Sequence, residues 1–170
     1  MKSPIQSQNT DALEALSDDE DINTLRHKFI VFRLEREEYA LEAQFVNEIV
    51  GMQHITVVPN VPHYIKGVIN LRGKIIPVID VRLRFSLEEY AYNDRTCIII
   101  TQHEDFGATG LIVDAVVEVA DIDDAGISEP PKTGKGSRSL FLQGMAKHGA
   151  VVRMIVNIAA VLSDGEAVLA

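Results

Sequence analysis

Histidine and cysteine are the residues of this 170-residue chain best suited to metal binding or nucleophilic chemistry. The five histidines lie at positions 27, 54, 63, 103 and 148, so no two have the two- or four-residue separation that brings two imidazoles to one metal ion. The single cysteine, Cys97, precedes three isoleucines and is predicted to be a small core residue rather than a reactive thiolate. We therefore expect no metal, no cofactor and no catalytic residue.

Motifs for phosphate binding and serine hydrolysis are incomplete. The run Gly134 to Ser137 (GKGS) resembles part of a phosphate-binding loop, but Glu129 stands where the first glycine is required, and no serine or threonine directly follows Lys135. No Gly-x-Ser-x-Gly elbow occurs. A small-molecule enzyme is an alternative, which incubation with metabolites followed by mass spectrometry would test.

The segment from Pro59 to Asp80 is the most informative. Two apolar runs flank a turn at Gly73-Lys74, which predicts a β-hairpin, and Pro77 predicts that its second strand is an edge or bulged strand. Strand alternation would direct Asn70 and Arg72 to solvent, with Ile69, Leu71 and Ile75 inward. An arginine at a hairpin tip is well placed to contact another protein.

The elements around this hairpin are mainly strands. β-rich runs occur at 29–34, 39–42, 46–51 and 96–101, and Asp80 is a predicted N-cap of a short helix at 81–85. Two shifts suggest an internal repeat: one of 70 residues aligns Glu48 with Glu118, and one of 77 aligns Gly67 with Gly144 and Asp80 with Asn157. The pattern predicts an all-β chain of two related barrel-like lobes.

Composition limits the class of partner. Hydrophobic residues form 46% of the chain, and the formal net charge is −9, which opposes nucleic-acid binding; a nucleic-acid-binding barrel would need aromatics on a basic face. We expect a soluble intracellular protein, with neither a signal peptide nor a membrane-spanning run. Five cations at 65–85 and eight acids at 104–129 suggest complementary charged faces.

Three regions are predicted along the chain. Residues 1–26 carry six acids and few large apolar side chains, which predicts a disordered acidic arm. Residues 27–165 form the folded domain, and residues 166–170 form a C-terminal tail.

One family combines these features. Residues 64–80 (YIKGVINLRGKIIPVID) strongly resemble the signature of the CheW family of chemotaxis coupling proteins. The flanking runs agree, namely FIVF at 29–32, EEY at 37–39, VNEI at 46–49, GLIVD at 110–114 and MIVNI at 154–158. The resemblance extends from about Lys28 to about Leu162. Asn157 departs from it, because many relatives have Asp at this position, but either residue can cap the short helix that follows.

The resemblance implies two intertwined five-stranded SH3-like β-barrels and a non-catalytic adaptor. Its implied partners are the cytoplasmic tip of methyl-accepting chemoreceptors and the regulatory domain of the histidine kinase CheA. The protein would be cytoplasmic and associated with membrane-bound receptor arrays, without inserting into the membrane itself. An adaptor in another receptor–kinase pathway, such as twitching or gliding motility, is the main alternative, and identification of the bound kinase would discriminate the two.

The resemblance also implies a partner-binding groove on the first lobe. Three residues, Val46, Ile49 and Gly67, would form its floor. Glu48, Asn70 and Arg72 would lie at its edge, either as an ion pair that fixes the hairpin tip or with Arg72 donating directly to a partner helix.

Overall fold

The computed structural model describes residues 24–130 and 137–163, which form two β-sheets with short helices. Thr24–His27 is a 3₁₀ helix, so the predicted arm lies outside the described residues up to position 23, as does the predicted tail at 166–170. The described strands are β1 Lys28–Leu34, β2 Glu37–Glu42, β3 Val46–Gly51, β4 Ile65–Leu71, β5 Lys74–Asp80, β6 Cys97–His103, β7 Gly107–Val113, β8 Ala115–Asp121, β9 Ile127–Ser128, β10 Leu142–His148 and β11 Val151–Val156. The helices are α1 Val81–Arg84 and α2 Ile158–Leu162, with further 3₁₀ turns at Ala43–Phe45, Asp124–Gly126 and Ser137–Phe141.

Each sheet contains strands from both halves of the chain. Sheet 1 has the order β8-β1-β2-β11-β10-β9, and sheet 2 has the order β3-β6-β7-β5-β4. The first sheet therefore has six strands rather than the expected five, because the two-residue β9 pairs with β10. The equivalent contact in sheet 2 is a single bridge between Thr56 and Val68. The mainly-β class and the intertwining of the two lobes are confirmed.

The predicted repeat is visible in the strand register. In β4–β5 the ladder shifts between Ile65 and Gly67, and in β10–β11 it shifts 77 residues later, between Leu142 and Gly144. The parallel pairs also correspond: β5 joins β7 at Val78 and Gly110, whereas β11 joins β2 at the equivalent residues Ile155 and Ala40. Both sheets thus have one plan, with strands exchanged between the halves.

The cores explain the continuous apolar runs. Along β1, Phe29 and Val31 pack within sheet 1, whereas Ile30 and Phe32 enter a larger cluster that both sheets share. A corresponding cluster inside sheet 2 contains Ile69, Ile76, Val78, Ile98, Ile100 and Ile112. Each sheet therefore buries both faces, which requires apolar residues without strict alternation.

Two details of the predicted hairpin are wrong. Pro77 lies in β5, which is an interior strand, and the register shift lies in β4 between Ile65 and Gly67, opposite Val78 and Ile79 rather than Pro77. Val68 lies opposite Pro77 and forms its two backbone hydrogen bonds with Thr56, through its N–H at 2.9 Å and its C=O at 2.8 Å. Val68 therefore does not need the backbone N–H that proline lacks at position 77. Ile75 is 62% exposed instead of inward, because the turn pairs it with Asn70 and Ile76 takes the buried position.

Side-chain caps start both α-helices. The Asp80 carboxylate accepts the N–H of Leu83 at 3.4 Å, and the Asn157 side chain accepts the N–H of Ala160 at 3.2 Å. Asn157 therefore does the same work as an aspartate at this position. Among the described residues, no helix has the length and apolar character needed to cross a membrane.

Candidate partner-binding site

A tight turn places Arg72 at the tip of the β4–β5 hairpin. Arg72 and Gly73 both have positive φ, 52° and 83°, as a two-residue turn with the twist of its strands requires. The Asn70 side chain accepts the N–H of Gly73 at 2.9 Å and stabilises this turn. The equivalent turn of β10–β11 has Gly149 where Arg72 stands. A bulky residue is therefore kept in a conformation that favours glycine, which indicates a use for its side chain.

The Arg72 guanidinium forms a bidentate ion pair with Glu48. Nη1 and Nη2 donate to Oε1 and Oε2 at 2.6 Å each. The hydrogen bonds from Arg72 hold the pKa of the Glu48 carboxyl below its usual value, although partial burial opposes the shift. Glu48 lies on β3 and Arg72 directly follows β4, and these two strands are at opposite edges of sheet 2. The pair therefore joins the two edges of this sheet at one end.

Three of the six predicted site residues meet at this surface. Glu48, Asn70 and Arg72 come together, and the exposed Ile75 lies directly opposite Asn70 on the neighbouring strand. We call these four residues the tip surface. Ile75 was missed by the sequence analysis, and the two-residue turn is the signal that would have assigned it to the outer face.

The other three predicted residues lie beneath the surface. Val46 and Ile49 are 9% and 4% exposed and belong to the core shared by the two sheets, so their side chains do not form an open apolar floor. Gly67 is buried with a φ of 145°, and a Cβ there would lie 2.1 Å from the Thr56 carbonyl oxygen. These residues support the site by packing, and their contact with a partner stays a prediction.

The expected cationic face is mostly neutralised within the chain. Lys66 pairs with Glu89 at 2.8 Å, Arg72 pairs with Glu48, and Arg82 and Arg84 are each only 7% exposed. Sequence reasoning could not show this, because the carboxylates lie on distant strands and loops.

The side chains that could act in catalysis are hydrogen-bonded to one another or buried. A cleft of about 240 Å³ is lined by Asp80, Arg82, Tyr92 and Asp114, among others. Asp80 accepts the Tyr92 hydroxyl at 2.8 Å, and Asp114 accepts two bonds from Arg82. Cys97 is buried, which raises the pKa of its thiol to about 12. Within residues 24–130 and 137–163, no group of histidine, cysteine and carboxylate side chains is arranged to hold a metal ion.

Comparison with known proteins shows which family shares this sequence. The family model described as the CheW-like domain matches residues 28–166, which includes both sheets and both α-helices. The chain belongs to the CheW-like domain family.

Individual CheW relatives are similar over most of their length. The chain is 33% identical over 148 residues to the chemotaxis protein CheW of Klebsiella aerogenes, covering 86% of this chain and 87% of that protein. It is 37% identical over 135 residues to the chemotaxis protein CheW of Bacillus subtilis, covering 79% and 86%. The crystal structure of the scaffolding protein TtCheW from Thermoanaerobacter tengcongensis matches with a TM-score of 0.71 and 40% identity, covering 77% of this chain and 88% of that one.

Proposed function

We propose that this CheW-like chain is a non-catalytic adaptor that couples methyl-accepting chemoreceptors to the histidine kinase CheA in bacterial chemotaxis. The observation that carries the proposal is the tip surface. It lies at the turn of the hairpin that contains the family signature, and there Arg72 forms a bidentate ion pair with Glu48. The names of its relatives, chemotaxis and scaffolding proteins, support this role. The adaptor works in the cytoplasm beneath membrane-bound receptor arrays and does not itself enter the membrane.

The tip surface has the chemistry that a receptor helix requires. Ile75 offers apolar area, and Asn70 and Arg72 offer polar groups at its border. The bidentate contact with Glu48 uses two of the five N–H donors of the Arg72 guanidinium. Its exposed position lets the remaining donors reach the carboxylates or carbonyls of a partner.

The second partner, the regulatory domain of CheA, binds sheet 1. The two sheets share one plan but differ in their surface residues, so each lobe can bind a different protein. The regulatory domain of CheA is itself CheW-like by the family resemblance, so lobe-to-lobe pairing brings similar surfaces together. Coupling then requires both contacts at once, and the chain transmits a change of population rather than a chemical step.

Arg72→Ala is the decisive variant. We expect affinity for a receptor-tip fragment to fall at least tenfold, because an interface arginine with polar partners is often a major contributor to binding, while affinity for the CheA regulatory domain stays within about twofold because that domain binds the other sheet. The thermal midpoint should move by less than about 3 °C, because the Arg72 side chain is mostly exposed. Titration calorimetry and a melting curve measure the two effects.

Three further variants separate the possible causes. Arg72→Gly suits the positive φ and should lose binding as Arg72→Ala does, whereas Lys74→Ala removes an exposed cation of the same hairpin and should leave both affinities within about twofold. Glu48→Ala should lose less affinity than Arg72→Ala if Arg72 contacts the partner directly, and as much if the pair only shapes the tip. Unchanged binding of Arg72→Ala together with a large loss of stability would remove Arg72 from the site.

The bound kinase also decides which pathway is served. Capture of the tagged chain from its native cell should retain CheA and chemoreceptors. Retention of a kinase of twitching or gliding motility instead would assign the adaptor to that pathway.

A further inference from the structure

Helix α1 carries two arginines, and each makes hydrogen bonds that cross the junction of the two sheets. It follows β5 of sheet 2, and its first residue, Val81, packs in the shared core together with Phe85, which directly follows the helix. Arg82 and Arg84 are buried although arginine is seldom buried without partners.

Arg82 joins α1 to the β1–β2 turn of sheet 1. Its Nε donates to Oδ1 of Asp114 at 2.7 Å, and its Nη2 donates to Oδ2 of the same carboxylate. Asp114 lies between β7 of sheet 2 and β8 of sheet 1, where the chain crosses from one sheet to the other. Arg82 also reaches Glu35, in the β1–β2 turn, at 3.3 Å, and the N–H of Glu35 donates to Asp114 at 2.8 Å.

Arg84 joins α1 to the end of α2, which follows β11 of sheet 1. Its Nε donates to the Val161 carbonyl at 3.0 Å, and its Nη2 donates to the carbonyls of Ala160 and Ser163 at 3.1 and 3.0 Å. These carbonyls belong to the last turn of a helix, where a positive charge is favourable. The guanidinium also lies 4.3 Å from the Tyr64 ring centroid and 4.6 Å from that of Phe141.

The position of Arg84 is special within the repeat. Tyr64 and Phe141 are 77 residues apart and are equivalent in the two halves, so Arg84 lies between a residue and its own counterpart. The residues equivalent to Arg82 and Arg84 are Ala159 and Val161 in α2. A second arginine there would bring two like charges together, so only one half carries the charged contact.

We infer that Arg82 and Arg84 are positioning residues that fix the angle between the two sheets and hence between the two partner surfaces. The functional part rests on the proposed function, since it assumes that the lobes bind different partners. The residues act through orientation and contact neither partner.

Distances between the sheets test the structural part. Nitroxide labels at Lys74→Cys and Lys147→Cys, in a Cys97→Ala background, place one probe on each sheet at exposed positions. We expect Arg84→Met to broaden the distance distribution at least twofold, and Arg84→Lys to broaden it less because it restores a charge and three donors. Arg95→Met, an exposed arginine, is the matched control and should leave the distribution unchanged.

Bridging measurements test the functional part. In the unlabelled chain, Arg84→Met should keep each pairwise affinity within about threefold, while receptor–kinase bridging falls at least fivefold, a split that simple loss of folded protein would not produce. An unchanged distance distribution overturns the inference, and if Arg84→Met does not fold, an unchanged distribution in Arg84→Lys does so. Broadening with unchanged bridging overturns the functional part. Failure of the unaltered chain to bind either partner overturns the proposed function alone, because the distance measurement does not depend on it.

Discussion

Glu48 and Glu118 occupy equivalent positions 70 residues apart, yet their partners give them different roles. Glu48 pairs with the exposed Arg72, whereas Glu118 accepts from the buried Arg153 at 2.8 Å. Arg153 also donates to Glu38 at 2.9 Å, so two carboxylates compensate one buried guanidinium. The same backbone position therefore pairs with an exposed arginine in one sheet and with a buried arginine in the other.

Glu38 should make stability depend on pH. The hydrogen bond from Arg153 lowers the pKa of the Glu38 carboxyl, so its contribution is present above the unfolded pKa of about 4.3 and is lost as pH falls through the folded pKa. We expect Glu38→Gln to lower the unfolding free energy by about 2 kcal/mol at pH 7 and to reduce the loss between pH 5 and 3. Urea denaturation at both ends of this range measures the difference.

Glu37→Gln is the matched control, because Glu37 is the exposed neighbour of Glu38 on the same strand. Its unfolding free energy and acid dependence should stay close to those of the unaltered chain. Equal effects of the two substitutions would contradict a specific role for the Glu38–Arg153 pair.

Among the structural elements, the β4–β5 hairpin depends on two glycines for different reasons. At Gly67 a side chain would collide with the Thr56 carbonyl, whereas at Gly73 space is open and only the positive φ resists a side chain. Gly67→Ala should lower the unfolding free energy by about 3 kcal/mol or more, and Gly73→Ala should lower it by about 1 kcal/mol. Gly126→Ala, with open space and no positive φ, should be nearly neutral in the same denaturation experiment. A similar cost at Gly67 and Gly73 would mean that the bulge relaxes around the added methyl group.

Sequence reasoning was most successful where structure is local. The hairpin, the strand at 46–51 and the caps at Asp80 and Asn157 follow from turn chemistry and short apolar runs, and all are present. The two repeat shifts also predicted that both lobes share one plan, as their registers confirm.

One failure concerns a local turn, and the others concern contacts between distant parts of the chain. Assigning the turn one residue too late put Ile75 on the wrong face, since strand side chains alternate with a period of two. Burial of Arg82 could not be predicted because its carboxylate partner, Asp114, is 32 residues away. Val46 and Ile49 belong to the site region but face the core, a distinction that depends on how the sheets pack.

For the whole molecule, the start of the folded domain can be located by truncation. Leu25, in the first 3₁₀ helix, packs against the shared core. Deletion of residues 1–23 should leave the thermal midpoint within about 2 °C, whereas deletion of 1–26 should lower it by about 3 °C while the chain still folds. Leu25→Ala in the full chain should reproduce the larger effect. A loss above about 5 °C on deletion of residues 1–23 would show that the acidic arm contributes to the fold.

Strand exchange makes the two halves interdependent. A fragment of residues 24–95 contains β1–β5, and one of residues 96–163 contains β6–β11, so neither contains a complete sheet. Each fragment alone should lack a cooperative unfolding transition, and the two together should form a 1:1 complex with one. Circular dichroism and size-exclusion chromatography measure both results. Independent folding of either fragment would contradict the interleaved pairing.

The same exchange has a consequence for synthesis on the ribosome. The strands β1 and β2 emerge first, but their neighbours β8 and β11 lie in the second half of the chain, and β11 is the last described strand to be translated. Sheet 1 can therefore close only when nearly the whole chain has left the exit tunnel, and until β8 is translated the apolar run at 29–32 can pair only with β2. Translation speed across the second half, and chaperones that cover nascent β-strands, thus influence the yield of this protein more than they would if each lobe were built from consecutive strands.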